Sequence, residues 1–180
     1  MSTPSSSASS AIDRTLSIDH VDLFPTLIWQ ARLNGLAPLF PRWIEAARAG
    51  ATLTQPVFNE LHGALRACCQ YAFGQMGQQG RNFTLGSSVE IQDKGGFTFP
   101  KVQTGALLSG LFFLQAPPGS GAQIFRDPRP GIQHSPLTAR KDVRVTPEAG
   151  LVLIFPPWLE HYAEPHGGDQ ARVALSFTAS

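Results

Sequence analysis

The chain has 180 residues and a formal net charge of +1, and only 15% of its residues are charged. This length suits one domain with a sizeable core, and the near-neutral charge argues against a nucleic-acid partner. No apolar run reaches membrane-spanning length, no block of lysines suggests a membrane surface, and the N-terminus lacks the pattern of a secretory signal. The adjacent cysteines Cys68 and Cys69 suit a reducing compartment, so we expect a cytoplasmic protein.

The first 17 residues are rich in serine and have no apolar periodicity. They predict a disordered tail over 1–17 and a single domain over 18–180. His20-Val21-Asp22 has the spacing of a metal-binding pair, but it lies in an opening extended segment without the turn and core strand that normally follow such a pair. We therefore do not assign this tripeptide to a site.

Two helices are predicted before the first long run of strands. The first covers 36–49, with an apolar face and Gly50 at its end. The second begins near Thr54, a candidate cap, has Pro56 in its first turn, and ends before Gly77. Its apolar stripe predicts packing against a core.

From residue 82 onward the sequence predicts only strands and turns. The extended segments are 82–93, 97–104, 107–115, 122–125, a short strand ending at Pro147, Leu151–Phe155, a segment from His161, and 172–177. A long loop with several prolines spans 126–140, and loops of that length often cover a binding site. Two helices before about eight strands predict a jelly-roll barrel with the helices packed outside it.

The C-terminal segments predict where His161 and Arg172 lie. Pro156 and Pro157 end the apolar strand Leu151–Phe155, because proline cannot donate to a ladder. His161 then begins the next strand, and the glycine-containing turn 166–169 leads to the last one. This arrangement predicts that adjacent strands hold His161 and Arg172 facing into one cavity.

Four segments of the sequence together resemble a known family. They are FPTLIW near the start, LLSGLFFLQAPPGSGAQIFRDPRP in the middle, and GLVLIFPPWLEHYAEPH and ARVALSF near the end. Their combination and order over 18–177 resemble the 2-oxoglutarate, Fe(II)-dependent oxygenases of bacteria and phages. The resemblance implies a mainly β fold, a double-stranded β-helix of the jelly-roll or cupin type.

The resemblance also implies Fe(II) and 2-oxoglutarate as cofactors and assigns roles to two residues. His161, in WLEH, matches the distal histidine that binds the metal, and Arg172 matches the arginine that binds the far carboxylate of 2-oxoglutarate. A planar guanidinium suits a carboxylate. A facial set of ligands leaves open positions for the keto acid and oxygen. Asp127, in FRDPR, is retained as well.

The chain departs from the family at the other metal ligands. Counting back from Ser109, Lys101-x-Gln103 stands where the family has His-x-His. A protonated lysine cannot bind a metal and its charge opposes Fe(II), while a glutamine oxygen is a weak ligand. The family's paired tyrosines are Phe112 and Phe113 here. The resemblance therefore predicts a degenerate iron site.

Three interpretations of function stay open, and only two of them are enzymes. In the first, the barrel acts on or binds a small anionic molecule, with Lys101 and Arg172 as anion-binding groups and His161 as a general acid or base. In the second, it is a genuine Fe(II)/2-oxoglutarate oxygenase of the hydroxylase type. The missing ligands would then come from unusual positions: Gln103, Asp127, His134 or His166.

In the third interpretation, the barrel is a non-catalytic binding or scaffold protein. Phe112 or Phe113 would then fill the pocket. Exposed sheet edges are also compatible with a homodimer.

Overall fold

The computed structural model describes residues 25–134 and 142–180, so the predicted tail over 1–17 and His20-Val21-Asp22 lie outside the described residues. The elements in chain order are β1 (Trp29–Arg32), a 3-10 helix (Asn34–Leu39), α1 (Phe40–Arg48), a 3-10 turn (Pro56–Phe58), α2 (Asn59–Gln75), β2 (Leu85–Gln92), β3 (Leu108–Gln115), β4 (Gln123–Arg126), a 3-10 turn (Pro130–His134), β5 (Asp142–Val145), β6 (Leu151–Phe155), β7 (His161–Ala163) and β8 (Arg172–Ala179).

The strands form two antiparallel sheets. The larger has the order β1-β6-β3-β8-β2, and the smaller has the order β5-β4-β7. Side chains of both sheets pack into one apolar cluster, and the helices pack on the other face of the larger sheet. The mainly β fold is the expected double-stranded β-helix with two helices outside. No helix among the described residues is long and apolar enough to cross a membrane.

Strands β3 and β6 are apolar along nearly their whole length because the larger sheet is covered on both faces. Successive side chains of a strand point to opposite faces. Phe112 therefore packs with the helices, while Phe113 packs in the interior between the sheets. The two phenylalanines that follow each other in sequence belong to different cores.

Trp43 on α1 is central to the helix-facing core. It has no exposed surface, and its ring centroid lies 5.8 Å from that of Phe40 and 6.4 Å from that of Phe112. Its indole Nε1 donates to the carbonyl oxygen of Val57 at 2.9 Å. Burying a side chain of this size contributes roughly 3 kcal/mol, and the hydrogen bond removes the penalty for burying its polar atom.

Gly110 on β3 lies opposite Phe177 on β8. A Cβ atom at position 110 would come within 2.1 Å of the Phe177 ring. The ring of Phe177 therefore lies across the backbone of β3, and only glycine leaves room for it.

Two details of the sequence prediction are wrong. The helix over 36–49 is split into a 3-10 helix and α1, because Pro38 and Pro41 each lack an N–H donor. Thr54 does not cap the second helix, since its hydroxyl pairs instead with the hydroxyl of Thr52 at 3.0 Å.

The segment 97–104 does not form the predicted strand. Only Lys101 makes a β-bridge, to His161. Pro100 cannot donate, and at Ala163 the hydroxyl of Thr98 accepts the N–H at 2.7 Å. The segment still follows the edge of β7, which brings Lys101 next to His161.

Candidate functional site

His161 and Arg172 are both buried, but they do not lie on adjacent strands as predicted. His161 begins β7 in the smaller sheet, and Arg172 begins β8 in the larger sheet. The connection between them contains Pro165 and a glycine pair, and it carries the chain from one sheet to the other. One carboxylate, that of Glu90, acts electrostatically on both residues. The His161 ring lies against Phe155 and the Arg172 guanidinium lies over Phe113. Both phenylalanines belong to the apolar cluster between the sheets, so the two residues face a shared interior.

The ring of His161 is fixed in one orientation. Its Nδ1 lies 2.9 Å from the carbonyl oxygen of Leu159, and because a carbonyl only accepts, Nδ1 carries the hydrogen. The ring centroid lies 4.7 Å from that of Phe155 and 6.2 Å from that of Phe125. Burial lowers the pKa of His161, which favours the neutral imidazole. Nε2 then has a free lone pair, as required of a metal ligand or a general base.

Lys101 lies at the rim of this interior. Its backbone N–H and carbonyl pair with those of His161, each at 3.0 Å. Its Nζ lies 2.7 Å from Oε1 of Glu90, with the lysine side chain 40% exposed and the glutamate side chain 16% exposed. Lys101 also lowers the pKa of His161, though less than burial does. The ammonium group is thus an electrostatic neighbour of the histidine.

Arg172 is only 1% exposed and is bonded to neutral acceptors. Nη1 donates to the carbonyl oxygen of Gly121 at 3.0 Å, and Nη2 donates to Oε1 of Gln123 at 3.3 Å. The guanidinium carbon lies 5.1 Å from the centre of the Phe113 ring. Within 25–134 and 142–180, no carboxylate lies at ion-pair distance from Arg172 and no acceptor meets its buried Nε. Burial lowers the pKa of Arg172, and Glu90 opposes this effect.

Two residues of the site were missed from the sequence, and both lie on β2. Glu90 and Gln92 are two positions apart and therefore share a face. In the β2–β8 ladder they lie opposite Ala174 and Arg172, respectively. The side chain of Gln92 is buried, and neither of its amide atoms has a hydrogen-bond partner in the described part of the chain. Their spacing of two positions could have indicated that both face the site. Polar residues at alternate positions, however, also fit a strand with one face toward solvent.

Asp127 and Gln103 are not joined to this group by any contact of the described residues. The Asp127 carboxylate accepts from Nε and Nη2 of Arg129 at 3.0 and 2.6 Å, and Arg129 lowers the pKa of Asp127. Gln103 is exposed, and its backbone N–H donates to the carbonyl oxygen of Pro157 at 2.8 Å.

The two other candidate histidines differ from each other. His134 is exposed. His166 begins the turn after β7, yet it is 1% exposed, and its Nε2 donates to the carbonyl oxygen of Gln170 at 2.6 Å. The compact turn after β7 encloses the ring, since the backbone of Gly168 lies directly against it.

The family model described as "Putative 2OG-Fe(II) oxygenase" matches residues 89–178, which is half of the chain. The chain belongs to this 2OG-Fe(II) oxygenase family. The match begins just before Glu90 and ends in β8, so it includes both sides of the interior site. The comparison with curated protein sequences finds no match.

Solved structures of other proteins have the same fold. The epimerase SnoN from nogalamycin biosynthesis, described as non-heme and alpha-ketoglutarate dependent, aligns with a TM-score of 0.65 and 16% identity over 86% of this chain and 78% of its own. A Pseudomonas putida prolyl-4-hydroxylase aligns with a TM-score of 0.62 and 15% identity over 85% and 87%. HygX from Streptomyces hygroscopicus, with nickel and 2-oxoglutarate bound, aligns with a TM-score of 0.62 and 13% identity over 86% and 82%.

Membership of the 2OG-Fe(II) oxygenase family implies Fe(II) and 2-oxoglutarate by resemblance. Whether this chain can bind Fe(II) depends on which side chains are available as metal ligands. Among the described residues, no three side chains of His, Cys, Asp or Glu lie close enough together to hold a metal ion. His161 offers one imidazole nitrogen, and the nearby carboxylate of Glu90 is paired with Lys101. These residues do not fit a three-ligand iron centre.

Proposed function

We propose that this oxygenase-family barrel binds a small carboxylate-bearing molecule at Arg172 and that its iron site is degenerate. Lys101 and Gln103 would stand where the family's His-x-His pair is expected. The observation that carries the proposal is the buried guanidinium of Arg172, whose partners in the described part of the chain are all neutral acceptors. Burying a charge without a counter-ion is costly. A carboxylate would supply both the missing charge and an acceptor for Nε.

The charges around Arg172 also favour an anion. Lys101 and Arg172 are cations, and Glu90 is the acidic residue whose charge acts on Arg172. With His161 neutral, the group keeps a net positive charge. Because Lys101 lies near His161 in the opposite sheet, a molecule with two anionic ends would meet one cation at each end.

The same charges oppose a divalent metal. A metal at Nε2 of His161 would lie near the Lys101 ammonium, and like charges repel strongly where water is excluded. The carboxylates of Glu90 and Glu160 act on His161, but Glu90 is already bonded to Lys101 at 2.7 Å and Glu160 is paired with Arg126. A neutral His161 without a bound metal agrees better with these contacts.

Carboxylate binding is tested by thermal shift and calorimetry with a panel of acetate, butyrate, succinate, glutarate and 2-oxoglutarate. At one hundred times its Kd, a ligand stabilises the folded state by about 2.7 kcal/mol. We expect at least one acid to do so, and Arg172→Gln to weaken that binding by tenfold or more.

Arg66→Gln is the matched control. Arg66 also donates to a backbone carbonyl and lies over a phenylalanine ring, but it belongs to α2 outside the barrel. Binding should be unchanged in this variant. The absence of any ligand in the panel, or equal binding by Arg172→Gln, would contradict the carboxylate proposal.

The degenerate iron site has a separate test. The metal-free protein is titrated anaerobically with Fe(II), with and without 2-oxoglutarate, while the visible charge-transfer band of the ternary complex is recorded. We expect no saturating band. A saturating band that disappears in His161→Ala would overturn this part of the proposal and restore the genuine oxygenase.

A further inference from the structure

Gln92 presents an unusual buried group beside Arg172. It is only 6% exposed, and both its amide nitrogen and its amide oxygen lack partners among residues 25–134 and 142–180. It lies directly opposite Arg172 on the neighbouring antiparallel strand. Side chains in such a pair point to the same face, with their Cβ atoms about 5 Å apart. The unpaired amide and the unpaired Nε of Arg172 therefore face the same part of the interior.

The turn after β2 holds Gln92 in place. The N–H of Gly96 donates to the carbonyl oxygen of Asp93 at 2.7 Å, and the N–H of Gly95 donates to that of His166 at 2.6 Å. This tight turn brings Gly96 so close to Gln92 that a Cβ at position 96 would lie 3.2 Å from the Cβ of Gln92. The amide is thus built into the interior wall.

The chemistry of the amide narrows the class of ligand. A glutamine side chain offers two N–H donors and an oxygen acceptor. A hydroxyl group can donate to the oxygen and accept from the nitrogen. A keto oxygen can only accept, and a methylene group can do neither, so either would leave part of the buried amide unpaired.

We propose that Gln92 recognises a hydroxyl group on the carbon next to the carboxylate held by Arg172, so that the site selects 2-hydroxy acids over 2-oxo acids and unsubstituted acids. This inference rests on the proposed carboxylate site. Because Gln92 and Arg172 form a cross-strand pair, we place the hydroxyl on the carbon next to the carboxylate. The guanidinium would take the carboxylate, and the amide would distinguish the neighbouring substituent.

The test compares three acids of equal length: 2-hydroxyglutarate as each enantiomer, 2-oxoglutarate and glutarate. Calorimetry on the wild type should give a Kd for one enantiomer of the hydroxy acid that is about tenfold lower than for the other two acids, as expected for one well-made hydrogen-bonding group. Gln92→Leu should remove this preference and keep the binding of glutarate. Gln70→Leu, the same change at an exposed glutamine of α2, should leave all the values unchanged.

The outcomes separate this inference from the proposed function. Equal affinity of the wild type for all three acids, or a preference that persists in Gln92→Leu, overturns the role of Gln92 and leaves the carboxylate site intact. No binding of any of the three, if other carboxylates still bind, also overturns the role of Gln92. If no carboxylate binds at all, both proposals fail.

Gln92→Glu provides a second variant of nearly the same size, in case the leucine variant fails to fold. Its carboxylate would pair with Arg172 and displace the ligand, so all three acids should lose affinity while the protein stays folded. Unchanged affinity in this variant would show that position 92 does not face the ligand.

Discussion

On the helix-facing side of β8, Val173, Leu175 and Phe177 pack into an apolar core with the two helices. On the interior side of the same strand, Arg172 is equally buried, yet part of its guanidinium has no partner among the described residues. Gln92, which lies opposite Arg172 on β2, is also buried, and its amide atoms have no hydrogen-bond partner among the described residues. Strand β8 thus has an apolar face toward the helices, and its interior face carries Arg172, which is incompletely paired.

This difference indicates how stability and function are divided within the larger sheet. Apolar burial stabilises the fold without any ligand. Unpaired buried polar groups are destabilising, and native proteins tolerate them where they have a role. The helix-facing core therefore supplies stability that offsets the cost of the incompletely paired polar groups on the interior face.

The largest expected effect is on the helix-facing side. Trp43→Ala should lower the free energy of unfolding by about 3–5 kcal/mol, because it leaves a cavity among three aromatic rings and removes the bond to Val57. Urea denaturation measures the loss. Trp158→Ala, at an exposed tryptophan, should change stability by no more than about 0.5 kcal/mol. Similar losses in the two variants would contradict the assignment of Trp43 to the main core.

Replacement of Arg172 should have a smaller effect, although its side chain is as buried as that of Trp43. Arg172→Met removes a charge that has no ion-pair partner among the residues that the structure describes, and this gain offsets the loss of two hydrogen bonds. Without ligand, we expect the free energy of unfolding to stay within about 1 kcal/mol of the wild type. A loss of 3 kcal/mol or more in urea denaturation would show that the guanidinium is structural.

The smallest expected effect is a dependence of stability on pH. Burial lowers the pKa of His161 in the folded state, whereas the unfolded value is about 6.5. Below that pH the unfolded chain binds more protons at this residue than the folded chain does. Stability should therefore be complete above the unfolded pKa and fall as the pH drops toward the lowered folded pKa.

Denaturation curves between pH 8 and pH 5 measure this contribution. The decrease should be shallower in His161→Gln, which keeps a polar side chain but cannot titrate. Identical pH profiles for this variant and the wild type would contradict the burial of a neutral His161.

Local sequence predicted much of the fold. Strand β6 has the predicted bounds, and β3 begins within one residue of its prediction, because long apolar runs between turn residues leave few alternatives. The segment 97–104 was less predictable. Its β-forming residues favour a strand, but the hydroxyl of Thr98 takes the position of a ladder acceptor, and Pro100 interrupts the pairing.

The site was only partly predictable, because tertiary placement decides what a polar residue does. The family resemblance identified His161 and Arg172, but neighbouring segments in sequence suggested neighbouring strands. Glu90 and Gln92 resembled a solvent-facing pattern, since nothing in their segment shows that a second sheet covers them. Only the pairing of β2 with β8 places Gln92 opposite Arg172.

Gly110 gives the family resemblance a particular meaning. The serine–glycine pair that helps to identify the family includes this residue, and the Phe177 ring requires it to lack a side chain. A sequence signature of this kind reflects a steric requirement of the fold. Selection on packing can preserve it in lineages whose catalytic residues have diverged. Gly110 therefore identifies the family through a packing requirement of the scaffold, and it carries no information about the metal ligands.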